Sequence, residues 1–339
     1  MGYLRSPDLV NSVKGKGAVT GVTVYKDEMF LTRDDSTNIE TYFGTKYKRG
    51  IRLSVTEKQK STRKNFFKKK ASEHNEIQNG LQDLTCDRSA RLYTSESNGH
   101  TIFCISLNAR QIISSWQVEV GKPSGLSITK DGNLLVSCSS EYKICEYTFN
   151  GDLLHEISFG CNMDGPRHAL QLDSHLLVVC HGIADSSEKS EGVSVIDLYG
   201  NNSAGTKTMQ LVNPCHLAVD SREQILIADR TRNMIILANR TLDGCHRILL
   251  TSEDGLEVPT RVHLNEAKGL LLVGLQSGAL MIYHVKWPRF NPDDVAKPES
   301  AFFVSFENTR KSDKDNGKTT DKVSLHRDNP NCPVYDEID

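Results

Sequence analysis

The sequence predicts an all-β protein, a six-bladed β-propeller followed by a disordered C-terminal tail. Two observations carry this prediction. Short apolar strands are separated by turn residues about every 8–12 residues, and no helical period appears between them. A unit of about 44 residues, with the same order of strands and turns, recurs along the chain, which is the pattern of a propeller blade.

The copies of the repeat can be aligned without gaps over the first half of the repeat unit. Four copies begin at Pro123, Pro166, Pro214 and Pro259, at intervals of 43, 48 and 45 residues, and an apolar residue follows three positions after each proline. Two earlier copies align on Leu84 and Val22, at intervals of 42 and 62 residues. The longer interval predicts an insertion between blades 1 and 2, and residues 184–191 form a smaller one.

Each copy predicts four antiparallel strands. An innermost strand such as 217–219 comes first, followed by a turn. Second strands are predicted at 134–136, 176–179, 225–228 and 270–273, and third strands at 143–147, 193–198, 234–237 and 279–283. Outer strands are predicted at 153–158, at 247–250 and, in blade 1, at 49–55.

The last copy shows only three strands, so one chain end must supply the fourth and close the ring. The sequence favours residues 8–13, and residues 301–306 compete with them. The predicted organisation is an N-terminal segment 1–13, a propeller over 14–288 with a basic insertion at 56–79, and a polar tail over 289–339 that has too little apolar surface to fold.

Composition excludes several classes of protein. The 339 residues hold 41 basic and 43 acidic side chains, so the chain as a whole is not built to bind nucleic acid or an anionic membrane. No apolar run reaches the length of a membrane span, and no secretory signal is found at the N-terminus. The nine cysteines include no CxxC pair, so these residues contain no zinc finger or RING, and we interpret the thiols as core residues in a reducing compartment.

The stretch from Pro214, PCHLAVDSREQILIADRTRNMIIL, resembles an NHL repeat, and PSGLSITKDGNLLVSCSSEYKICEYTFNG from Pro123 is similar to it. The opening VTGVTVYKDEMFLT resembles the first blade of invertebrate NHL-like propellers related to tripartite-motif (TRIM-NHL) ubiquitin ligases. The resemblance covers residues 14–288 and implies a six-bladed propeller that recognises protein or RNA targets in a ubiquitin pathway.

Equivalent positions in the six copies predict two rings at the mouth of the central channel, on the top face. The first ring contains Gly21, Asp83, Gly125, His168, His216 and Arg261, and the second contains Asp34, Glu96, Cys138, His181, Asp229 and Gly274. Because binding residues are commonly held on loops of a rigid scaffold, we expect a partner-binding surface here. Its predicted members are His168, His216, Arg261, Arg230, His181, Asp229, Asp83 and Glu96, with Arg167 and Arg232 beside them.

Structural interpretations stand beside this one. The aspartates could accept turn N–H groups, the histidines could be hydrogen-bonded scaffold residues, and Cys138 could be a buried packing residue. A metal-dependent enzyme is a further alternative, in which His168, His216 and His181 bind an ion together with Asp83, Glu96 or Asp229. The histidines come from only two adjacent blades, which weakens the metal interpretation.

Residues 46–70 carry 11 basic side chains and one acidic, whereas residues 71–288 carry 17 basic and 25 acidic. Basic side chains with Phe66 and Phe67 among them could hold single-stranded RNA or act as a nuclear import signal, or the insertion could be solvated and without a partner. Within the insertion they are Lys58, Lys60, Arg63, Lys64, Lys68, Lys69 and Lys70.

The sequence therefore predicts a monomeric, non-catalytic interaction module. We expect protein partners, no cofactor and no membrane, in the cytoplasm, with the nucleus as an alternative through the basic insertion. RNA binding by the top face and this insertion is the alternative function.

Overall fold

The computed structural model describes residues 8–48, 50–53, 80–159, 165–182, 191–202, 208–243 and 246–285, together with 302–303 and 326–327. These residues form an all-β fold with six four-stranded or five-stranded sheets arranged as the blades of a propeller. Helix within these ranges is limited to single 3-10 turns at Ser139–Glu141, Ser252–Asp254 and Glu266–Lys268. None of them is long and apolar enough to span a membrane.

The first half of the chain forms strand β1 and blades 1 to 3. The chain begins with β1 (Asp8–Val13). Blade 1 holds β2 (Val19–Tyr25), β3 (Glu28–Arg33), β4 (Asn38–Phe43), β5 (Lys46–Tyr47) and β6 (Ile51–Arg52). Blade 2 holds β7 (Leu81–Cys86), β8 (Arg91–Glu96), β9 (Thr101–Ser106) and β10 (Gln111–Gln117). Blade 3 holds β11 (Gly125–Ile128), β12 (Leu134–Cys138), β13 (Lys143–Tyr147) and β14 (Leu153–Ser158).

The second half forms blades 4 to 6. Blade 4 holds β15 (His168–Gln171), β16 (Leu176–His181), β17 (Gly192–Asp197) and β18 (Met209–Gln210). Blade 5 holds β19 (Pro214–Val219), β20 (Ile225–Asp229), β21 (Met234–Ala238) and β22 (His246–Leu250). Blade 6 holds β23 (Pro259–Asn265), β24 (Leu270–Leu275) and β25 (Leu280–His284). Two short strands, β26 (Phe302–Phe303) and β27 (His326–Arg327), pair with each other.

Strand β1 supplies the fourth strand of blade 6. It runs antiparallel to β25, with Val13 opposite Leu280 and Leu9 opposite Tyr283. Val13 is buried in a cluster that also contains Leu280. The N-terminal segment thus closes the ring. The described part of the competing segment, β26, pairs with β27 instead.

The outer strand of blade 1 differs from the predicted continuous strand at 49–55. Two short pieces pair with β4 instead, β5 beside Tyr42 and Phe43 and β6 beside Asn38 and Ile39. Lys48 stays attached through its N–H to the Thr41 carbonyl at 2.8 Å, and the chain leaves the sheet before β6. The predicted insertion at 56–79 lies outside the described residues, and so does the one at 184–191 apart from Glu191. The predicted tail also lies outside them, apart from β26 and β27.

The hydrophobic core is divided among the blade interfaces. Six clusters of buried side chains are found in the described ranges, and each joins one pair of neighbouring blades. Leu226, for example, is fully buried in β20 and packs with Val262 and Leu271 of blade 6. Burial of this apolar area between every pair of blades supplies the main force that holds the ring.

The strand order defines two faces. Innermost strands begin at the top face, which also carries the turns between second and third strands. The bottom face carries the turns between first and second strands and those between third and outer strands.

Candidate functional site

The first predicted ring lies on the innermost strands of six successive blades, and its four side-chain members meet at the propeller axis. Asp83, His168, His216 and Arg261 are all buried there, at 0%, 2%, 8% and 8% exposure. The expectation that these residues face solvent at the channel mouth is wrong. Innermost strands converge on the axis, so side chains at this position pack against each other rather than outward.

Glycines complete the ring where backbones approach each other. A Cβ on Gly125 would lie 2.4 Å from the Arg167 carbonyl oxygen, and a Cβ on Gly21 would lie 2.6 Å from the Leu84 Cβ. These distances leave no room for a side chain, so glycine at both positions is explained by blade packing.

Asp83 is the hub of the axial cluster. Its Oδ1 accepts hydrogen bonds from the Leu84 N–H at 2.8 Å and from Arg261 Nε at 3.2 Å. Its Oδ2 accepts from the Leu126 N–H at 2.8 Å, which ties blade 2 to blade 3. Burial raises the pKa of Asp83, while the Arg261 charge and the two amides act in the opposite direction. The ion pair joins blades 2 and 6 across the axis.

Arg261 is held on three sides. Besides Asp83, its guanidinium donates to the Thr260 carbonyl at 2.8 Å and to the Gln82 carbonyl at 2.7 Å. A buried cation with these partners is part of the scaffold, because removing any one of them would leave a desolvated charge.

His168 and His216 form a stacked pair, with ring centroids 3.9 Å apart and planes inclined by 24°. His168 Nε2 lies 3.2 Å from the Leu126 carbonyl and therefore carries the proton, whereas its buried Nδ1 has no partner in the described part of the chain. His216 Nδ1 accepts from the Val262 N–H at 3.4 Å, which places its proton on Nε2. Both rings are thus assigned as neutral Nε2–H tautomers.

The electrostatics agree with this assignment. Burial, and then the charge of Arg261, lower the pKa of His168 to about 3. Burial, His168 and Arg261 hold the pKa of His216 well below its ordinary value. Neither imidazole is protonated at neutral pH, so the axial cluster carries one anion and one cation.

The residues do not fit the metal interpretation. Ligand atoms of Asp83, His168 and His216 lie within 4.8 Å of one another. An imidazole lone pair lies in the ring plane, however, and the two rings occupy nearly parallel planes about one ring thickness apart, so a single ion near both rings would lie outside at least one ring plane. Arg261 already occupies the carboxylate, and a second cation beside it would be repelled. His181 is bonded elsewhere, with its Nε2 3.0 Å from Ser194 Oγ.

Members of the second ring serve separate roles. Asp34 is exposed and Glu96 is half-buried, but Cys138 and His181 are buried in their blades. Asp229 is fully buried and accepts the Arg232 N–H at 3.1 Å, which matches the structural interpretation of this aspartate as a turn acceptor. The expected exposure of His181 and Asp229 is therefore wrong as well. Contact of either ring with a partner stays a prediction.

The arginines beside the rings are bound to neighbouring blades. Arg167 pairs with Glu191 at 3.1 Å and donates to the Pro214 carbonyl at 3.0 Å. Arg230 donates through its guanidinium to the Gln276 side chain of blade 6. These intramolecular contacts use some of the hydrogen-bond donors that we expected to contact a partner.

A circle of contacts between blades on the bottom face was not predicted. Each blade touches the next through a polar or cation–π contact. The pairs are Lys268–Asp27 between blades 6 and 1, Glu28–Arg110 between 1 and 2, Arg91–Phe149 between 2 and 3, Lys130–Gln171 between 3 and 4, Asp173–Arg240 between 4 and 5, and Ser221–Glu266 between 5 and 6. The sequence contains one indication that these turns are ordered. Asp87 and Asp220 occupy equivalent turn positions, and each accepts hydrogen bonds from local N–H groups.

The top face differs from the bottom face. Nine exposed charged side chains on it have no ion-pair partner among the described residues: Lys14, Lys16, Asp34, Asp35, Glu119, Lys122, Glu141, Glu253 and Glu257. On the bottom face most charged side chains are paired within or between blades, although Lys26, Lys46, Arg88 and Asp131 are exposed there without an ion pair in the described ranges.

Stability should fall in mild acid because of the axial histidines. Their pKa values in the folded protein lie below the value of about 6.5 for an exposed imidazole, so the unfolded chain binds protons first as the pH drops. The free energy of unfolding should decrease below about pH 6.5, by up to about 1.4 kcal/mol per pH unit for each histidine. Urea denaturation at several pH values measures this, and a flat profile between about pH 7 and 5 would contradict the burial of both rings.

Comparison with known proteins places the fold in a class. No protein family and no curated protein matches this chain. Among solved structures, the Neurospora crassa Pan2 WD40 domain matches at 10% identity and a TM-score of 0.55, over 85% of this chain and 98% of that one. The WD40 β-propeller domain of Doa1 matches at 11% identity and a TM-score of 0.53, over 82% and 96%. Such low identity shows the fold alone.

The chain is therefore a six-bladed β-propeller with WD40-type structural neighbours.

Proposed function

We propose that this chain is a non-catalytic interaction module that recognises protein partners through its top face. The supporting observation is the contrast between the faces. Most charges on the bottom face are paired, with four exposed exceptions, whereas nine exposed charged side chains of the top face lack ion-pair partners in the described ranges. Polar groups of mixed sign on a rigid scaffold suit recognition of another protein, because complementary charges steer association and fix its register.

The surface that we propose for partner recognition lies outside the axial cluster. His168, His216, Asp83 and Arg261 contact each other and are inaccessible to a large partner. Glu96 and Arg230 remain part of the proposed surface, because each is only half-buried at the top face.

We also propose that the chain acts in a ubiquitin-ligase pathway, and the resemblance to NHL repeats supports this. The segment from Pro214 has the NHL pattern, and its family members select targets in ubiquitin-ligase pathways. We assign this chain to the same type of target-selecting role, without ligase chemistry of its own.

The proposal also includes a monomeric propeller. Outer strands of blades 6, 2 and 3 each contain a β-bulge, with Val10, Ile113 and Leu154 as the extra residues. Bulges disrupt the regular ladder that edge-to-edge pairing between two copies would need.

Charge reversal on the top face provides the test. We expect Asp34→Lys and Glu119→Lys each to weaken capture of protein partners from an extract by about tenfold, because a steering charge is inverted. Both residues are exposed, so the free energy of unfolding should change by less than about 0.5 kcal/mol. Quantitative pull-down with the full chain, with and without nuclease, measures the effect.

Asp131→Lys is the matched control, since Asp131 is an exposed acid of the bottom face. It should capture partners as the unaltered chain does. Equal capture by all three variants would rule out the top face as the interface. Loss of every partner on nuclease treatment would replace the proposal with RNA binding.

A further inference from the structure

The split outer strand of blade 1 leaves a cavity on the side of the propeller. Strands β5 and β6 pair with opposite ends of β4, so the middle of β4 is uncovered between them. A cavity of about 460 Å³ occupies this place, lined by Ser36, Asn38, Glu40, Tyr42, Tyr47 and Gly50. Asn38, Glu40 and Tyr42 alternate along β4 and therefore share one face of the sheet.

The floor of the cavity is polar without net charge. Glu40 receives two hydrogen bonds from the Arg33 guanidinium, at 2.8 and 3.2 Å, and a third from the Tyr42 hydroxyl at 2.7 Å. Burial and Glu40 raise the pKa of Tyr42 to about 12, so this hydroxyl stays a donor to the carboxylate. Because Arg33 neutralises Glu40, the residues described in the lining carry no net charge to attract a free cation or anion.

The walls of the cavity carry polar groups without hydrogen-bond partners in the described ranges, beside an aromatic ring. The Asn38 amide and the Tyr47 hydroxyl have no hydrogen-bond partner in the described ranges, and the Ser36 hydroxyl accepts only the Asn38 N–H, at 3.1 Å. The Tyr47 ring is 60% exposed and is held edge-on against Tyr42, with centroids 5.6 Å apart. Gly50 has no side chain and leaves space beside the Tyr47 hydroxyl.

We propose that this cavity binds a neutral, hydroxyl-rich ring of the pyranose class. The amide and two hydroxyls both donate and accept hydrogen bonds, as a ligand with several hydroxyl groups requires. The exposed face of Tyr47 can cover the apolar face of a sugar ring, because tyrosine combines an apolar body with a polar end. The volume lies within the usual range of small-molecule sites.

Saturation-transfer difference NMR with the full chain tests the proposal. The probes are methyl β-D-glucopyranoside, methyl α-D-mannopyranoside and maltose, with n-butylammonium and inorganic phosphate as charged comparisons. We expect at least one sugar to bind with a millimolar dissociation constant, as a small ligand with a few hydrogen bonds does. Neither charged probe should bind or displace it.

Two variants locate the site. Tyr47→Ala should weaken binding of the sugar about tenfold, and Asn38→Ala about threefold, because each removes one independent contact. Tyr199→Ala is the matched control, since Tyr199 is an 82% exposed tyrosine on blade 4 and should leave binding unchanged. All three residues lie at the surface, so circular dichroism and the melting temperature should confirm an intact fold.

Three results would overturn the proposal. They are the absence of saturation transfer to every sugar at up to about 50 mM, unchanged binding in Tyr47→Ala, and displacement of the sugar by n-butylammonium. Equal loss of binding in Tyr199→Ala would also count against it, because it would show unspecific stacking on exposed tyrosines.

Discussion

Replacing Asp83 with alanine is expected to destabilise the propeller by about 3–5 kcal/mol, the range for breaking a buried ion pair on one side. The change leaves the Arg261 guanidinium buried at 8% exposure without a carboxylate. It also removes the acceptor of two backbone N–H groups, those of Leu84 and Leu126. Each orphaned buried donor adds a desolvation cost.

Denaturant titration of Asp83→Ala measures this loss. Asp34→Ala is the matched control, because Asp34 is an exposed aspartate of the second ring and should stay within about 0.5 kcal/mol of the unaltered chain. Arg261→Met on the Asp83→Ala background should recover part of the loss, since it removes the uncompensated charge. A cost below about 1 kcal/mol for Asp83→Ala would mean that the axial cluster is solvated.

Arg33→Ala is expected to cost a similar amount, about 3–5 kcal/mol, through a different part of the ring. Arg33 is 2% exposed and fixes the place where blade 1 meets blade 6. Its guanidinium pairs with Glu40 of β4 and donates to the Gly278 carbonyl at 2.7 Å and to the Gly17 carbonyl at 3.0 Å. Burial alone lowers the pKa of Arg33, but Glu40 outweighs it and holds the pKa above its ordinary value.

The loss should appear as opening of the ring. Because β25 is the one partner of β1 among the described strands, weakening the junction should expose β1 to proteolysis before the rest of the fold. Arg88→Ala, at an exposed arginine of the bottom face, is the control and should be neutral. If Arg33→Ala unfolds at the same denaturant concentration as Arg88→Ala, the junction does not depend on this side chain.

The axial cluster could be predicted from the sequence only in part. Gapless alignment of the copies placed Asp83, His168, His216 and Arg261 at one equivalent position, and the structure brings them together. Their exposure could not be obtained in the same way. Register along a strand is a local property, whereas burial at the axis depends on how closely six strands converge.

The contacts that close the structure were not visible in the sequence either. Arg33 and Glu40 are seven positions apart in an ordinary β-hairpin, and nothing local distinguishes them from a surface pair. The partner carbonyl of Gly278 is 245 residues distant from Arg33. Pairs such as Asp173–Arg240 likewise join turns of different blades, so only the closed ring brings them into contact.

The sequence by itself determined the class of fold. Strand length, turn chemistry and the recurrence of proline-led copies are local or periodic, and the number and order of the blades follow from them. Tertiary structure alone decided which charged side chains are paired and buried within the ring and which face solvent. Blade packing desolvates Asp83, Arg261 and the two histidines and splits the outer strand of blade 1, and both results arise from contacts between residues far apart in the chain.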